Sequence, residues 1–327
     1  MKADKFLLIT LVSCMLTACG NDNEEKLMTD DPVELKLSSG LDLQTRADYT
    51  FTQGSQIVAY EKVYAWVDEV QTSSVSEYVQ AWELTAGGSG SLSGTTKFYP
   101  TSGNNVNVYA VHGNFTAPTG SFPASLSHSV STSQNTEYAK SDLLFGYKTG
   151  CSRQTEAHQL TFTHLLSKIE VYLIAGTGMT DANLTNATVY IQNTLPTTTV
   201  SFNKTAATIA TISAATGTAS DITAKMQYQT DQQVTVSGSS KYAYAFGEAI
   251  IIPQWVNDTH ASGGADVDFV KITLSGGGNY IAQVNKEFEA GKKYTYYVTV
   301  NASGLTLSST ITNWTAGTTT PGEISAQ

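Results

Sequence analysis

Residues 158–176 read HQLTFTHLLSKIEVYLIAG, and this run decides between a helical and a β reading of the chain. His158, Leu160, Phe162 and His164 share one parity and alternate with more polar residues, the period-2 pattern of a strand with one buried face. The run is too long and too varied for one straight strand. A bulge or bend is therefore expected near His164–Lys168.

Strand signals recur on both sides of it. KVYAWVDEV (62–70), NVNVYAVHGNF (105–115) and DLLFGYKTG (142–150) read as strands before it. Between them GGSGSLSG (87–94) reads as a flexible loop, and FYPTSGNN (98–105) as a turn carrying Pro100 and Gly103. After it come NATVYIQNT, TTTVSFN, YAYAFGEAIIIPQWV, DFVKITLS, NYIAQVN and KKYTYYVTVN, six further strand candidates. ATIATISAATGTAS (207–220) is a poor strand or a loop, and TLSGGGNYI (273–281) is a hairpin turning through Gly276–Asn279. Many short strands at this spacing, with no long amphipathic helical period, predict β-sandwiches. A chain of 327 residues allows two of them, and a boundary near 176 shares the strands about equally.

Composition agrees. Hydrophobic residues make up 41% and charged residues 14%, with 17 tyrosines, which suits strands joined by polar turns. The formal net charge of −10 and the lack of a Lys/Arg cluster exclude nucleic acid as a partner.

The N-terminus, MKADKFLLITLVSCMLTAC (1–19), is an address rather than part of the fold. Lys2 and Lys5 precede an apolar run from Phe6 to Met15, the layout of a secretory signal. Leu16-Thr17-Ala18-Cys19 resembles a bacterial lipobox, in which the cysteine becomes the lipidated first residue. The expected signal peptide is 1–18, lipidation falls on Cys19, and a polar tether begins GNDNEEK. With Cys14 removed and Cys19 lipidated, Cys151 has no partner in the mature chain, and a buried apolar role is expected for it.

Downstream, PVELKLSSGLDLQTRAD (32–48) places another strand: Val33, Leu35 and Leu37 alternate with Glu34, Lys36 and Ser38. Arg46 follows, the only arginine in the first 150 residues. A strand between an anchor and a solitary protease-readable residue is either an ordinary part of the fold or one built to be removed.

Catalytic and metal-binding patterns are sparse. His158 and His164 on one extended strand would stand ~20 Å apart at ~3.3 Å per residue, too far to share an ion. His164 reads as a core histidine. Asp266 and Asp268 put two carboxylates ~6–7 Å apart on one face, which reads as a solvated strand entrance. There is no G-x-S-x-G, no H-E-x-x-H and no EF-hand spacing. No enzyme activity, cofactor or metal is expected. Tyr294, Tyr296, Tyr297, Trp66, Trp82 and Trp255 are candidates for a sugar-stacking platform, with packing as the plainer alternative.

Five segments in order, LLFGYKTG (143–150), FTHLLSKIEVYL (162–173), AIIIPQWV (249–256), FEAGKKYTYYVTV (288–300) and ITNWTAG (311–317), resemble the fimbrillin family, the type V pilin-like fimbrial lipoproteins of Bacteroidia-type bacteria. The resemblance implies an all-β fold of two tandem transthyretin-like β-sandwich domains, here 47–176 and 177–327, behind a tether and removable strand at 19–46. It also implies a location at the outer membrane or cell surface, an anchor through lipid, and no catalysis. By the family scheme an arginine-specific surface protease cuts after Arg46 and leaves Ala47 as the new terminus. The strand of Val33, Leu35 and Leu37 is lost. Another fimbrial subunit then supplies a donor strand, and the fimbrium contributes to adhesion to an unnamed ligand. The alternative is a monomeric surface lipoprotein binding a glycan or host ligand. The family donor lies at the C-terminus, and here the match weakens. TAGTTTPGEISAQ is interrupted by Pro321 and Gly322 with Ile324 its only large aliphatic, while the better-alternating LTLSSTI (305–311) leads into Trp314 as a strand of its own sandwich would.

Overall fold

The computed structural model describes residues 31–41, 61–87, 90–206, 208–314 and 320–322. The run 158–176 splits where the sequence predicts a bend, but it does more than bend. Strand β8 (His158–His164) ends one sheet and β9 (Ser167–Ala175) begins another. The two residues between them, Leu165 and Leu166, carry the chain from one core to the next.

The first sheet system contains β1 (Leu37–Leu41), β2 (Lys62–Val70), β3 (Val75–Ala86), β4 (Ser91–Gly94), β5 (Val106–His112), β7 (Leu144–Cys151) and β8. They pair in the order β1-β4-β3-β2-β5-β7-β8 and close into a barrel. Alternate residues point inward, as the pleat requires: Val63, Ala65 and Val67 of β2 meet Val106, Val108 and Ala110 of β5, with Leu160 and Phe162 of β8. Cys151 lies in this core at 1% exposure, in the apolar role expected of it.

Beyond Leu166 two sheets pack face to face. One has six strands in the order β14 (Lys225–Val236), β15 (Ser239–Ile251), β9, β20 (Lys292–Asn301), β21 (Gly304–Asn313) and β22 (Thr320–Gly322). The other has four, β13 (Ser220–Thr223), β10 (Thr188–Thr194), β17 (Val267–Thr273) and β18 (Asn279–Val284). Ile169, Val171 and Leu173 of β9, beside Tyr294, Tyr296 and Val298 of β20, pack in one core with Val189 and Ile191 of β10 and Val270 and Ile272 of β17. The predicted hairpin is present, with Thr273 paired to Asn279. A short pair, β16 (Gln254–Val256) with β19 (Lys286–Phe288), extends this part.

The halves interlock. Strand β9 precedes residue 176 yet pairs with β15 and β20. Strand β6 (Ser125–Ser129) pairs with β11 (Thr197–Phe202), which also holds β12 (Ala210–Ile212). On the outer face of the barrel Trp66 and Tyr109 meet Phe122, and Phe145 meets Phe202. Lys204 bridges Asp68 at 2.7 Å above the rings of Tyr109 and Phe122. Helix α1 (Gln134–Ser141) docks through Gln134, whose amide donates to the Ile250 carbonyl and accepts from its N–H, both at 2.7 Å.

The other face of the six-stranded sheet carries a buried row of charge. Lys168 Nζ lies 3.0 Å from both Glu170 and Glu248, Lys225 lies 3.0 Å from Glu248, and Lys293 lies 3.3 Å from Glu170. Burial alone would raise the Glu248 pKa, but the Lys168 and Lys225 ammoniums outweigh it and hold the carboxyl below the usual range.

Burial also acts on His128, pushing its pKa down to about 4, with the Ser141 carbonyl opposing the shift. The ring is neutral when folded: its Nδ1 accepts from the Asn114 N–H and its Nε2 donates to Ser141 O. An unfolded histidine takes its proton near ~6.5. The native state is therefore fully favoured above that pH and loses stability as pH falls toward 4, by roughly 3 kcal/mol. Urea unfolding at pH 7 and pH 4.5 measures this, and His128→Gln is expected to flatten the slope; a slope like that of the parent would contradict the assignment.

The GGSGSLSG segment and the aromatic platform depart from the sequence reading. GGSGSLSG is not simply a loop, because Ser91–Gly94 forms β4 and buries Leu92. The proposed stacking platform is dismantled by packing: Trp66, Trp82, Tyr294 and Tyr296 are buried, and Tyr297 and Trp255 are half-buried.

Candidate functional site

The segment 33–41 closes the barrel, and its chemistry is that of a strand with two partners. On one flank the Leu35 N–H donates to Lys97 O at 2.8 Å, and the Tyr99 N–H donates to Val33 O at 2.9 Å. Strand β1 then continues antiparallel along β4, with Leu37 opposite Leu92 and Ser38 opposite Ser91. On the other flank the His158 N–H donates to Lys36 O at 2.9 Å. From there β1 runs parallel to β8, from Leu37 opposite His158 to Leu41 opposite Phe162.

Side chains follow the predicted alternation. Leu35 and Leu37 are 1% and 2% exposed within the barrel core, and Val33 packs against it half-buried. Lys36 is exposed. Ser39 is buried, and both its N–H and its hydroxyl donate to Gly90 O, at 2.7 and 3.2 Å. Each buried leucine contributes roughly 1.5–3 kcal/mol relative to exposure.

Without this segment the barrel would be an open sheet, β4-β3-β2-β5-β7-β8, with a slot between β4 and β8. The slot would present apolar side chains along its floor and unpaired N–H and C=O groups along both rims, a template for strand addition. At its β8 end Tyr99 Oη lies 2.6 Å from His158 Nε2, which also lies 3.0 Å from Ser152 O. Burial lowers the His158 pKa and pushes Tyr99 up to about 12, so both are neutral near pH 7.

Of the residues singled out in the sequence, Val33, Leu35 and Leu37 are brought together here. Cys19, Arg46 and Ala47 lie outside the described residues. His164 is a core histidine, paired with Asp142 at 2.8 Å and stacked on Trp314 at 3.9 Å between ring centres. Asp268 accepts from Gln283 at 2.8 Å. Among the described residues no three His, Cys, Asp or Glu side chains converge as metal ligands would, and no helix is long and apolar enough to cross a membrane. Leu92, Ser39 and the 97–99 edge carry the site as much as the leucines do. Leu92 was legible only as a lone aliphatic among glycines and serines.

The fimbrillin-like family profile matches residues 45–314. A candidate fimbrium subunit of Bacteroides uniformis, Fim1C, is 27% identical over 327 residues, covering 97% of each chain. A crystal structure of a candidate cell adhesion protein from Bacteroides uniformis aligns over 88% of this chain and 99% of its own, with a TM-score of 0.57 and 21% identity. A second, from Bacteroides ovatus, covers the same shares with a TM-score of 0.56 and 16% identity. These two likenesses establish the fold.

Proposed function

The chain belongs to the fimbrillin-like family, whose profile spans residues 45–314, and from that membership we propose that it is a noncatalytic fimbrial subunit matured by loss of its closing strand. In this reading it is exported as a lipoprotein through Cys19, reaches the cell surface on the outer membrane, and is cut after Arg46 by an arginine-specific protease. The cut removes β1 and opens the slot between β4 and β8. Another fimbrial subunit fills the slot with a strand, and the fimbrium serves adhesion. The likeness to Fim1C supports a fimbrial location. The two-domain division, 47–176 and 177–327, belongs to the same reading; β9, just before that boundary, pairs with β15 and β20 beyond it.

One observation carries it. The segment that precedes the solitary Arg46 is the segment that closes the barrel, held on both flanks and buried at Leu35 and Leu37. A strand so placed can leave without unthreading the others, because it pairs at the seam.

The test uses the full chain in an Arg153→Lys background, which leaves Arg46 as its sole arginine. Arginine-specific proteolysis is expected to remove residues 1–46 and to convert monomer into a ladder of multimers on sedimentation. Arg46→Ala is expected to stay uncut and monomeric. A parent protein that is cut but remains monomeric would sink the proposal.

A further inference from the structure

We propose that the groove between β3 and residues 93–98 binds a saccharide that carries a carboxylate, at a site separate from the slot and independent of the loss of β1. The six aromatic candidates for sugar stacking are taken up by packing, but two rings outside that set are not. Tyr78 is 40% exposed and Phe98 is 42% exposed.

The groove has a plain structural cause. Strand β3 pairs with β4 only from Leu84 to Ala86. Past Gly94 the chain swings away to meet the segment before β1, where Lys97 O accepts from the Leu35 N–H at 2.8 Å. Among the described residues, the edge of β3 from Tyr78 to Trp82 therefore has no ladder partner on that side. Two hollows of about 480 and 460 Å³ lie along the gap and adjoin at Gln80 and Lys97. Each has the size of a small-molecule site.

An open strand edge ordinarily invites another strand, but side chains bar the way into this one. The Tyr78 hydroxyl donates to Phe98 O at 3.0 Å, and the Trp82 indole N–H donates to Thr95 O at 2.9 Å. These bonds span the gap and occupy carbonyls that an entering strand would need. What remains is ring surface beside polar side chains. That combination suits a pyranose, whose C–H face rests on an aromatic ring while its hydroxyls bond to the groups around it.

Charge selects the class of saccharide. The chain carries a net charge of −10, yet the groove is lined by two lysines and one glutamate. Glu83 is matched by Lys62 at 2.8 Å. Lys97 is half-buried, borders both hollows, and has no carboxylate at ion-pair distance among the described residues. An unmatched cation in a groove of an acidic protein favours an anionic group on the ligand. A uronic or sialic acid supplies a carboxylate on the same ring that stacks.

The uncut full chain is the material for the test, since Lys97 O faces Leu35 while Phe98 O faces Tyr78 across the groove. Calorimetric titration with hyaluronan hexasaccharide, a galacturonate tetrasaccharide and 3′-sialyllactose is expected to give saturable binding to at least one of them. Its carboxyl-reduced counterpart should bind about tenfold more weakly. Lys97→Gln and Phe98→Ala should each weaken the acidic saccharide by about tenfold with unfolding midpoints unchanged. Saturation transfer from aromatic protons to the sugar ring in the parent protein provides a readout that needs no variant. Failure of all three saccharides to bind would overturn the inference, as would equal binding of the reduced form or affinities unmoved by both variants. Tighter binding of hexaglutamate than of any saccharide would overturn it in favour of an acidic peptide.

Discussion

Leu37→Ala is expected to destabilise the uncut chain by about 2–5 kcal/mol, the range for deleting most of a buried leucine from a packed core, and to leave the matured assembly unchanged. The first half follows from position. Leu37 is 2% exposed in the barrel core, opposite Leu92 on one side and His158 on the other. Truncation leaves a cavity that the strands cannot collapse around, because both flanks of β1 are fixed by backbone bonds. The second half follows from the proposed maturation: a residue discarded with 1–46 cannot influence what remains. Denaturant unfolding of the uncut variant and of its cleaved product, each against its parent, separates the two. An equal loss in both would mean that β1 stays in place after cleavage. No measurable loss in the uncut variant would mean that β1 does not hold the barrel closed.

Lys168→Met is expected to cost about 3–5 kcal/mol, since removing one partner of a buried ion pair leaves charge without compensation. Lys168 lies 4% exposed with Nζ 3.0 Å from both Glu170 and Glu248. These carboxylates stand opposite one another across β15 and β9, and the ammonium separates like charges that would otherwise repel. Lys225 and Lys293 remain at the ends of the row, and Thr295 donates to Glu170 at 3.0 Å. They soften the loss without replacing the central charge. Adding Glu170→Gln is expected to recover part of it, as removal of the second charge relieves the imbalance. Unfolding midpoints of single and double variants decide the matter. A double variant no more stable than Lys168→Met would show that the cost comes from packing rather than charge.

Much of this fold was legible in the sequence, and what was hidden has physical reasons. The break in HQLTFTHLLSKIEVYLIAG was readable because two strand patterns meet there; that the pieces enter different sheets was not, since pairing partners leave no local trace. Strand β3 gives no clear strand pattern because Val79 and Trp82 are three apart, a step that breaks the period-2 signal around Ala81, whose φ of 39° accompanies the irregular pairing with β2. Strand β14 is too polar to alternate visibly, and its backbone turns through positive φ at Gln229 and Asp231. Strand β4 reads as a loop in the sequence because one leucine among glycines and serines gives no pattern. At the candidate site the alternation of Val33, Leu35 and Leu37 pointed to the segment, although the regular strand runs Leu37–Leu41 and Val33 and Leu35 lie in the approach to it. Its two partners could be found only in three dimensions, and with them came the reason it matters.

Assembly by strand exchange requires that β1 be absent from the working molecule. The direct measurement is the N-terminal residue of the protein recovered from native cell-surface fimbriae, determined by mass spectrometry. An N-terminus at Ala47, with no peptide from 19–46, is the predicted result. A lipidated Cys19 joined continuously to Leu35 and Leu37 in assembled material would contradict it, because the slot would then be filled by its own strand.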